Sequence, residues 1–163
     1  MIGRVLSWRY EIQAVVGTGG MAVVYRAWDK AKKRTVAVKV LRPEYEQDEE
    51  FVRRFSREAE AAAKMSHENI VNLLDVGKDN DMRYIVMEYV EGTNFIELAK
   101  QRGGRIPAGE LFPLIEPLFT ALSAMHKAGL IHRDISPDNL MLEQGSVRLL
   151  DFGCARESLA GNE

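Results

Sequence analysis

The stretch His132-Arg133-Asp134-Ile135-Ser136-Pro137-Asp138-Asn139, followed closely by Asp151-Phe152-Gly153, gathers side-chain oxygens within a short span of chain. Asp134 is a candidate proton acceptor. Asn139 and Asp151 are candidate ligands for Mg²⁺, a hard cation that takes one or two protein oxygens and fills its shell with phosphate and water. Such a set suits phosphoryl transfer, in which charge on the moving group is neutralised and the acceptor hydroxyl is oriented. Each residue also has an ordinary alternative. Asp134 and Asn139 could cap turns around Pro137, and Asp151 could be a turn residue before Gly153.

A second group lies upstream. Gly17-Thr18-Gly19-Gly20-Met21-Ala22 follows the apolar segment Tyr10-Glu11-Ile12-Gln13-Ala14-Val15-Val16. Glycines there let backbone N–H groups approach phosphates with no Cβ in the way, though the same pattern could be a plain hairpin turn. Lys39 follows Val36-Ala37-Val38, and strand alternation puts it on the same face as Ala37. An inward lysine needs a carboxylate. Glu58, in Arg57-Glu58-Ala59, is the candidate; Glu60 is its rival, on a different helix face. The alternatives are a solvated Lys39 at a strand end and a surface Glu58.

These residues, with His67-Glu68-Asn69-Ile70-Val71 and Arg83-Tyr84-Ile85-Val86-Met87-Glu88-Tyr89-Val90-Glu91-Gly92, stand in the order found in protein kinases. The chain resembles that superfamily, and especially the eukaryotic-like Ser/Thr kinases of bacteria. The resemblance covers nearly the whole sequence. It implies an α+β, bilobal protein-kinase-like fold: a five-stranded antiparallel N-lobe with one main helix, over 9–91, then an incomplete helical C-lobe over 92–163. It implies ATP and Mg²⁺ as cofactors and a protein substrate with a Ser/Thr acceptor. Asp134, Lys39 and Glu58 are then the catalytic set, and Asn139 and Asp151 the metal ligands. Val16, Gly17, Thr18, Gly19, Gly20 and Lys39 hold the phosphate side. Adenine lies between Val24 and Ala37 above and Met141 below, its edge on the backbone of Glu88 and Val90, with Met87 limiting access to the back pocket. His132 is structural, packed against Phe152, and Arg133 answers a phosphorylated activation loop, for which Ser158 is a weak candidate.

Two departures from the family pattern bear on the chemistry. Ala22 replaces a third glycine, which a negative φ accommodates. Ser136 stands where Ser/Thr kinases carry a lysine that neutralises the transferred phosphoryl, and electrostatic contributions of that kind are worth a few kcal/mol. Two further readings stand beside the Ser/Thr kinase: a truncated or pseudokinase nucleotide-binding module without turnover, and a small-molecule kinase with related loops, against which Arg133 and the Arg57-Glu58-Ala59 helix argue. The sequence carries no A-P-E after Asp151-Phe152-Gly153. It is therefore expected to be the first part of a kinase domain, with self-association through exposed C-lobe surface.

The elements that must position these groups are legible in outline. Residues 9–41 read as three Val-rich strands, with the glycine turn between the first two. Residues 48–65 read as a helix with Phe51, Val52, Phe55, Ala59 and Ala62 on one face and acids at its start. Strands are expected over 70–77 and 83–89, joined by a polar turn at 78–81. A short helix over 95–102 is ended by Gly103-Gly104. A longer one over 110–128 carries Pro113 in its first turn and an interrupting Pro117. A hairpin over 140–142 and 147–150 completes the reading. The formal net charge of −2, with both signs interspersed, gives no basic block for nucleic acid or an anionic membrane. No apolar run is long enough to cross a bilayer and none reads as a signal peptide. The single cysteine, Cys154, excludes an intrachain disulfide and fits a reducing, cytoplasmic setting.

Overall fold

The structure, a computed structural model, describes residues 1–63, 70–91, 93–94, 100–101, 103–104, 107–127, 140–143 and 146–149. Its centre is the strand Arg34–Leu41. Strand alternation divides that valine-rich segment between two cores. Val36, Val38 and Val40 pack with Leu6, Tyr10, Ile12, Ala27, Tyr84 and Val86 on one face. Ala37 and Leu41 pack with Met21, Ala22, Phe55, Val71, Ile85 and Met87 on the other. A strand covered on both faces must be apolar nearly throughout, and its one charged interior residue, Lys39, therefore needs a partner.

The strands, in chain order, are β1 (Val5–Leu6), β2 (Tyr10–Thr18), β3 (Ala22–Asp29), β4 (Arg34–Leu41), β5 (Leu73–Asp79) and β6 (Met82–Glu88). They form one antiparallel sheet ordered β1-β2-β3-β4-β6-β5. The expected five strands are thus six. The added edge strand β1 is only two residues long, too short for alternation to reveal, and pairs Val5 with Glu11 and Leu6 with Tyr10. The turn into β2 puts Ser7 and Trp8 at φ 52° and 60°, and Arg9 N donates to Leu6 O at 3.0 Å. Paired left-handed residues of this kind match the twist of a hairpin.

The turn between β3 and β4 is organised by Asp29, whose carboxylate is almost fully buried yet well satisfied. Arg9 donates to it twice, at 2.8 and 3.0 Å, and the N–H groups of Ala31 and Lys32 donate at 3.0 and 3.2 Å. The Arg9 guanidinium holds the Asp29 carboxyl well below its usual range, at about 2. Nearby, Tyr10 donates to Asp75 Oδ2 at 2.6 Å, and burial together with that bond pushes the phenol pKa up.

Helix α1 (Glu49–Ala63) lies across the second core. Asp48 caps it, its Oδ1 accepting from Glu50 N at 3.1 Å, and Glu49 and Glu50 occupy the first turn, where the helix dipole favours acids. Glu46 fixes the approach to the helix by accepting from Arg83 N at 2.8 Å and Arg83 Nη1 at 2.6 Å. The expected helix end at 64–65 lies outside the described residues. Strands β5 and β6 differ from expectation at their shared turn. Lys78 and Asp79 remain paired, with Arg83 and Met82, so the turn narrows to Asn80-Asp81, and Asn80 takes φ 55°. Asparagine tolerates that conformation, so two residues suffice where four polar ones suggested a longer loop.

After the sheet comes a second region. Helix α2 (Ala108–Lys127) starts two residues before the expected 110, because the Pro107 carbonyl accepts from Glu110 and Leu111. Pro113 consequently falls in the second turn, not the first, and neither it nor Pro117 can donate to the helix ladder. Gly103 and Gly104 take φ 77° and 94°, the left-handed geometry of a helix stop, whereas 95–99 of the short helix lies outside the described residues. The hairpin is β8 (Leu140–Glu143) and β9 (Ser146–Leu149), and it carries an unexpected third strand, β7 (Thr93–Asn94), paired through Thr93–Leu142 and Asn94–Met141. Among the described residues, no helix is long and apolar enough to cross a membrane.

Candidate active site

The site is built on the α1 side of the sheet. Lys39 Nζ lies 3.0 Å from Glu58 Oε2, and the lysine side chain is 1 % exposed against 19 % for the glutamate. Lys39 is there because it shares the inward face of β4 with Ala37 and Leu41. Glu58 is there because α1 presents the turn that follows Phe55 to the same core. Of the two carboxylates the sequence offers, Glu58 is the one that meets the ammonium. The Phe55 ring lies 5.9 Å from Nζ. An ion pair this buried depends on its geometry, since desolvation opposes the attraction.

Around this pair the sheet gathers the residues expected to face a purine. Ala37 and Met87 are buried in one cluster, with Val24 and Val90 partly buried against it. Met87 sits opposite Ala37 across the β4–β6 ladder, and Val24 opposite Lys39 across β3–β4. Glu88 ends β6. Gly17 faces Val24, while Val16, Thr18 and Gly20 are exposed and Gly19 is buried at the turn. Met141 takes a register position on β8, opposite Arg148 and Asn94. His132, Arg133, Asp134, Ser136, Asn139, Asp151 and Phe152 lie outside the described residues, as does Ser158.

Sequence reasoning missed two arrangements here. Arg42, after β4, donates through Nε and Nη2 to the carbonyl of Gly19, at 2.9 and 2.7 Å. No motif marks it. The side chain of Glu88, read from sequence only for its backbone, accepts from Arg148 Nη2 at 2.9 Å and from Asn72 N at 2.8 Å. It thereby joins β6, the approach to β5 and β9. A contact between residues 60 apart leaves no local pattern to read. A groove of about 490 Å³ lies elsewhere, behind α1 between Phe55, Ala59, Leu73, Val76, Tyr84 and Ile85. It includes neither Lys39 nor the glycine turn, so the chemistry does not point to it.

A model of the protein kinase domain matches residues 10–163. The chain belongs to the protein kinase family. Among its curated relatives, a probable serine/threonine-protein kinase of Clostridium acetobutylicum is 47 % identical over 97 % of this chain and 24 % of the relative. The serine/threonine-protein kinase PrkC of Bacillus subtilis is 43 % identical over 95 % of this chain and 24 % of its own length. The chain thus spans about a quarter of the length of these relatives. Among solved structures, the apo form of PpkA-294 superposes with a TM-score of 0.80 at 30 % identity, covering 99 % of this chain and 64 % of that one. The Mycobacterium tuberculosis PknI kinase domain does so at 0.77 and 32 %, covering 99 % and 67 %. The kinase-like fold, an antiparallel sheet with its helix followed by the start of a second lobe, accords with these neighbours.

Proposed function

We propose that this kinase-family chain carries the nucleotide site and catalytic loop of a protein kinase that transfers the γ-phosphoryl of ATP to Ser/Thr hydroxyls of protein substrates. The observation that carries the reading is the buried Lys39–Glu58 pair, 3.0 Å apart beside an apolar cluster containing Ala37 and Met87. A buried ammonium beside a carboxylate, next to a glycine turn whose Gly20 is exposed, fits a polyphosphate, and the apolar cluster fits a purine. Bound Mg²⁺ supplies charge neutralisation at the β- and γ-phosphates. In this reading Lys39 holds the α- and β-phosphates and Glu58 fixes the lysine. Gly17, Gly19 and Gly20 form the turn over the phosphates, with Gly20 offering its backbone N–H, and the backbone of Glu88 and Val90 meets the adenine edge. Asp134 accepts the proton of the acceptor hydroxyl as the hydroxyl oxygen bonds to the γ-phosphorus and the bond to the leaving ADP oxygen breaks. Asn139 and Asp151 hold the metal.

Residues 9–91 form the nucleotide-covering lobe and 92–163 begin the second. A cytoplasmic setting and self-association through the α2 face bearing exposed Phe112 and Phe119 belong to the same proposal. Ser136 favours a second reading, a nucleotide-binding module without turnover. The test is phosphorylation of a protein substrate by the full-length protein with radiolabelled ATP, beside nucleotide binding. Binding with incorporation into serine or threonine supports the kinase; binding with none favours the module.

A further inference from the structure

The glycine turn is held from outside by a side chain. Gly19 closes the turn through its own N–H, which donates to Ala22 O at 2.9 Å. Its carbonyl points the other way, into a fork formed by Arg42 Nε and Nη2 at 2.9 and 2.7 Å. Arg42 is itself anchored, its backbone N–H donating to Met21 O at 2.9 Å and its carbonyl accepting from Tyr45 N at 3.0 Å. The fork therefore sits on a fixed base, the end of β4, and grips the most mobile type of backbone with two charge-assisted bonds.

The consequence follows from the peptide unit. No peptide bond among the described residues is cis, and a trans peptide directs its C=O and N–H to opposite sides. Fixing Gly19 C=O on Arg42 thus fixes Gly20 N–H on the side away from Arg42. Gly20 is exposed, and a Cβ on it would meet nothing within 4 Å, so the space beside it is open to a ligand. We propose that Arg42 is a positioning residue: by gripping Gly19 it orients the Gly19–Gly20 peptide so that Gly20 N–H is presented to a nucleotide phosphate. This inference rests on the nucleotide-site reading above. It assigns Arg42 no contact with the nucleotide. Its effect is to remove the peptide rotation that binding would otherwise have to freeze, a gain by preorganisation.

The test uses the full-length protein and its R42A and R42K variants, with Mg²⁺–ADP and adenosine as paired probes and amide exchange at Gly19 as an independent readout. R42A is expected to exchange faster at Gly19 and to bind ADP roughly tenfold more weakly, the size set by losing charge-assisted hydrogen bonds, while its affinity for adenosine is unchanged. R42K should recover part of the loss, because an ammonium is a point donor and not a fork. ADP affinity within twofold of wild type in R42A overturns the proposal. So does a parallel fall in adenosine affinity, which makes Arg42 a residue of the fold alone. Wild-type protein that binds ADP no more tightly than adenosine overturns the nucleotide-site reading beneath it. Unchanged Gly19 exchange in R42A with normal wild-type binding overturns the proposal and leaves the nucleotide-site reading standing.

Discussion

At the scale of single residues, Lys39 and Glu58 make opposite demands on stability and on chemistry. Lys39→Met removes the desolvation cost of a buried cation but leaves the Glu58 carboxylate, 19 % exposed, without this ammonium, so the fold should lose about 1 kcal/mol. Glu58→Gln leaves the ammonium without this carboxylate and should cost about 2 kcal/mol, the partial exposure of Glu58 lowering the figure for a fully buried pair. Both should abolish most phosphoryl transfer, and the double variant should lose far less than the sum. Urea denaturation beside a kinase assay checks this; fully additive activity losses mean the two groups serve separate tasks. Position 136 offers a second residue-scale test. If the absent cation limits the rate, Ser136→Lys should raise turnover with little change in ATP affinity. A fall in turnover means another cation already fills the space, and steady-state kinetics distinguish the two. Lys39 and Glu58 were legible because alternation and a short motif mark them. Arg42 was not, because its meaning lies in a carbonyl that it meets only through the fold.

At the scale of elements, the β3–β4 turn and the β5–β6 hairpin are set by specific local chemistry. The Asp29 carboxyl has a folded-state value of about 2 against an ordinary 3.8. A lowered value means that this contribution to stability is present above pH 4 and is lost as pH falls from about 4 towards 2. Asp29→Asn should therefore flatten the acid limb of a stability-versus-pH curve in that window, measured by urea midpoints; an unchanged limb means the Arg9 pair is not coupled to folding. In the hairpin, a Cβ at Gly77 would collide with the ring and hydroxyl of Tyr84. Gly77→Ala should lower stability by about 2 kcal/mol through overpacking, read as a lower thermal midpoint. The long strands and both main helices could be read in advance because periods of two and of three to four residues persist through them. Strands β1 and β7, each two residues long, carry no period at all. They exist because a partner strand offers its edge.

At the scale of the whole molecule, a six-stranded sheet and its helix hold the ammonium, the apolar cluster and the glycine turn on one face, and the Glu88–Arg148 pair ties that sheet to the second region. The overall order of the fold was readable because each motif falls on the element its chemistry requires: glycines on a turn, lysine in a strand, its glutamate on a helix. The tie between regions was not, since only folding brings β6 and β9 together. In the proposed function these groups serve phosphoryl transfer with Asp134 as the proton acceptor. The most direct measurement is transfer from radiolabelled ATP to a protein substrate by the full-length protein and its Asp134→Asn variant, with ATP affinity measured alongside. Asp134→Asn should lose roughly 10²–10⁴-fold in turnover with ATP affinity nearly unchanged. Turnover close to that of the wild type would contradict it.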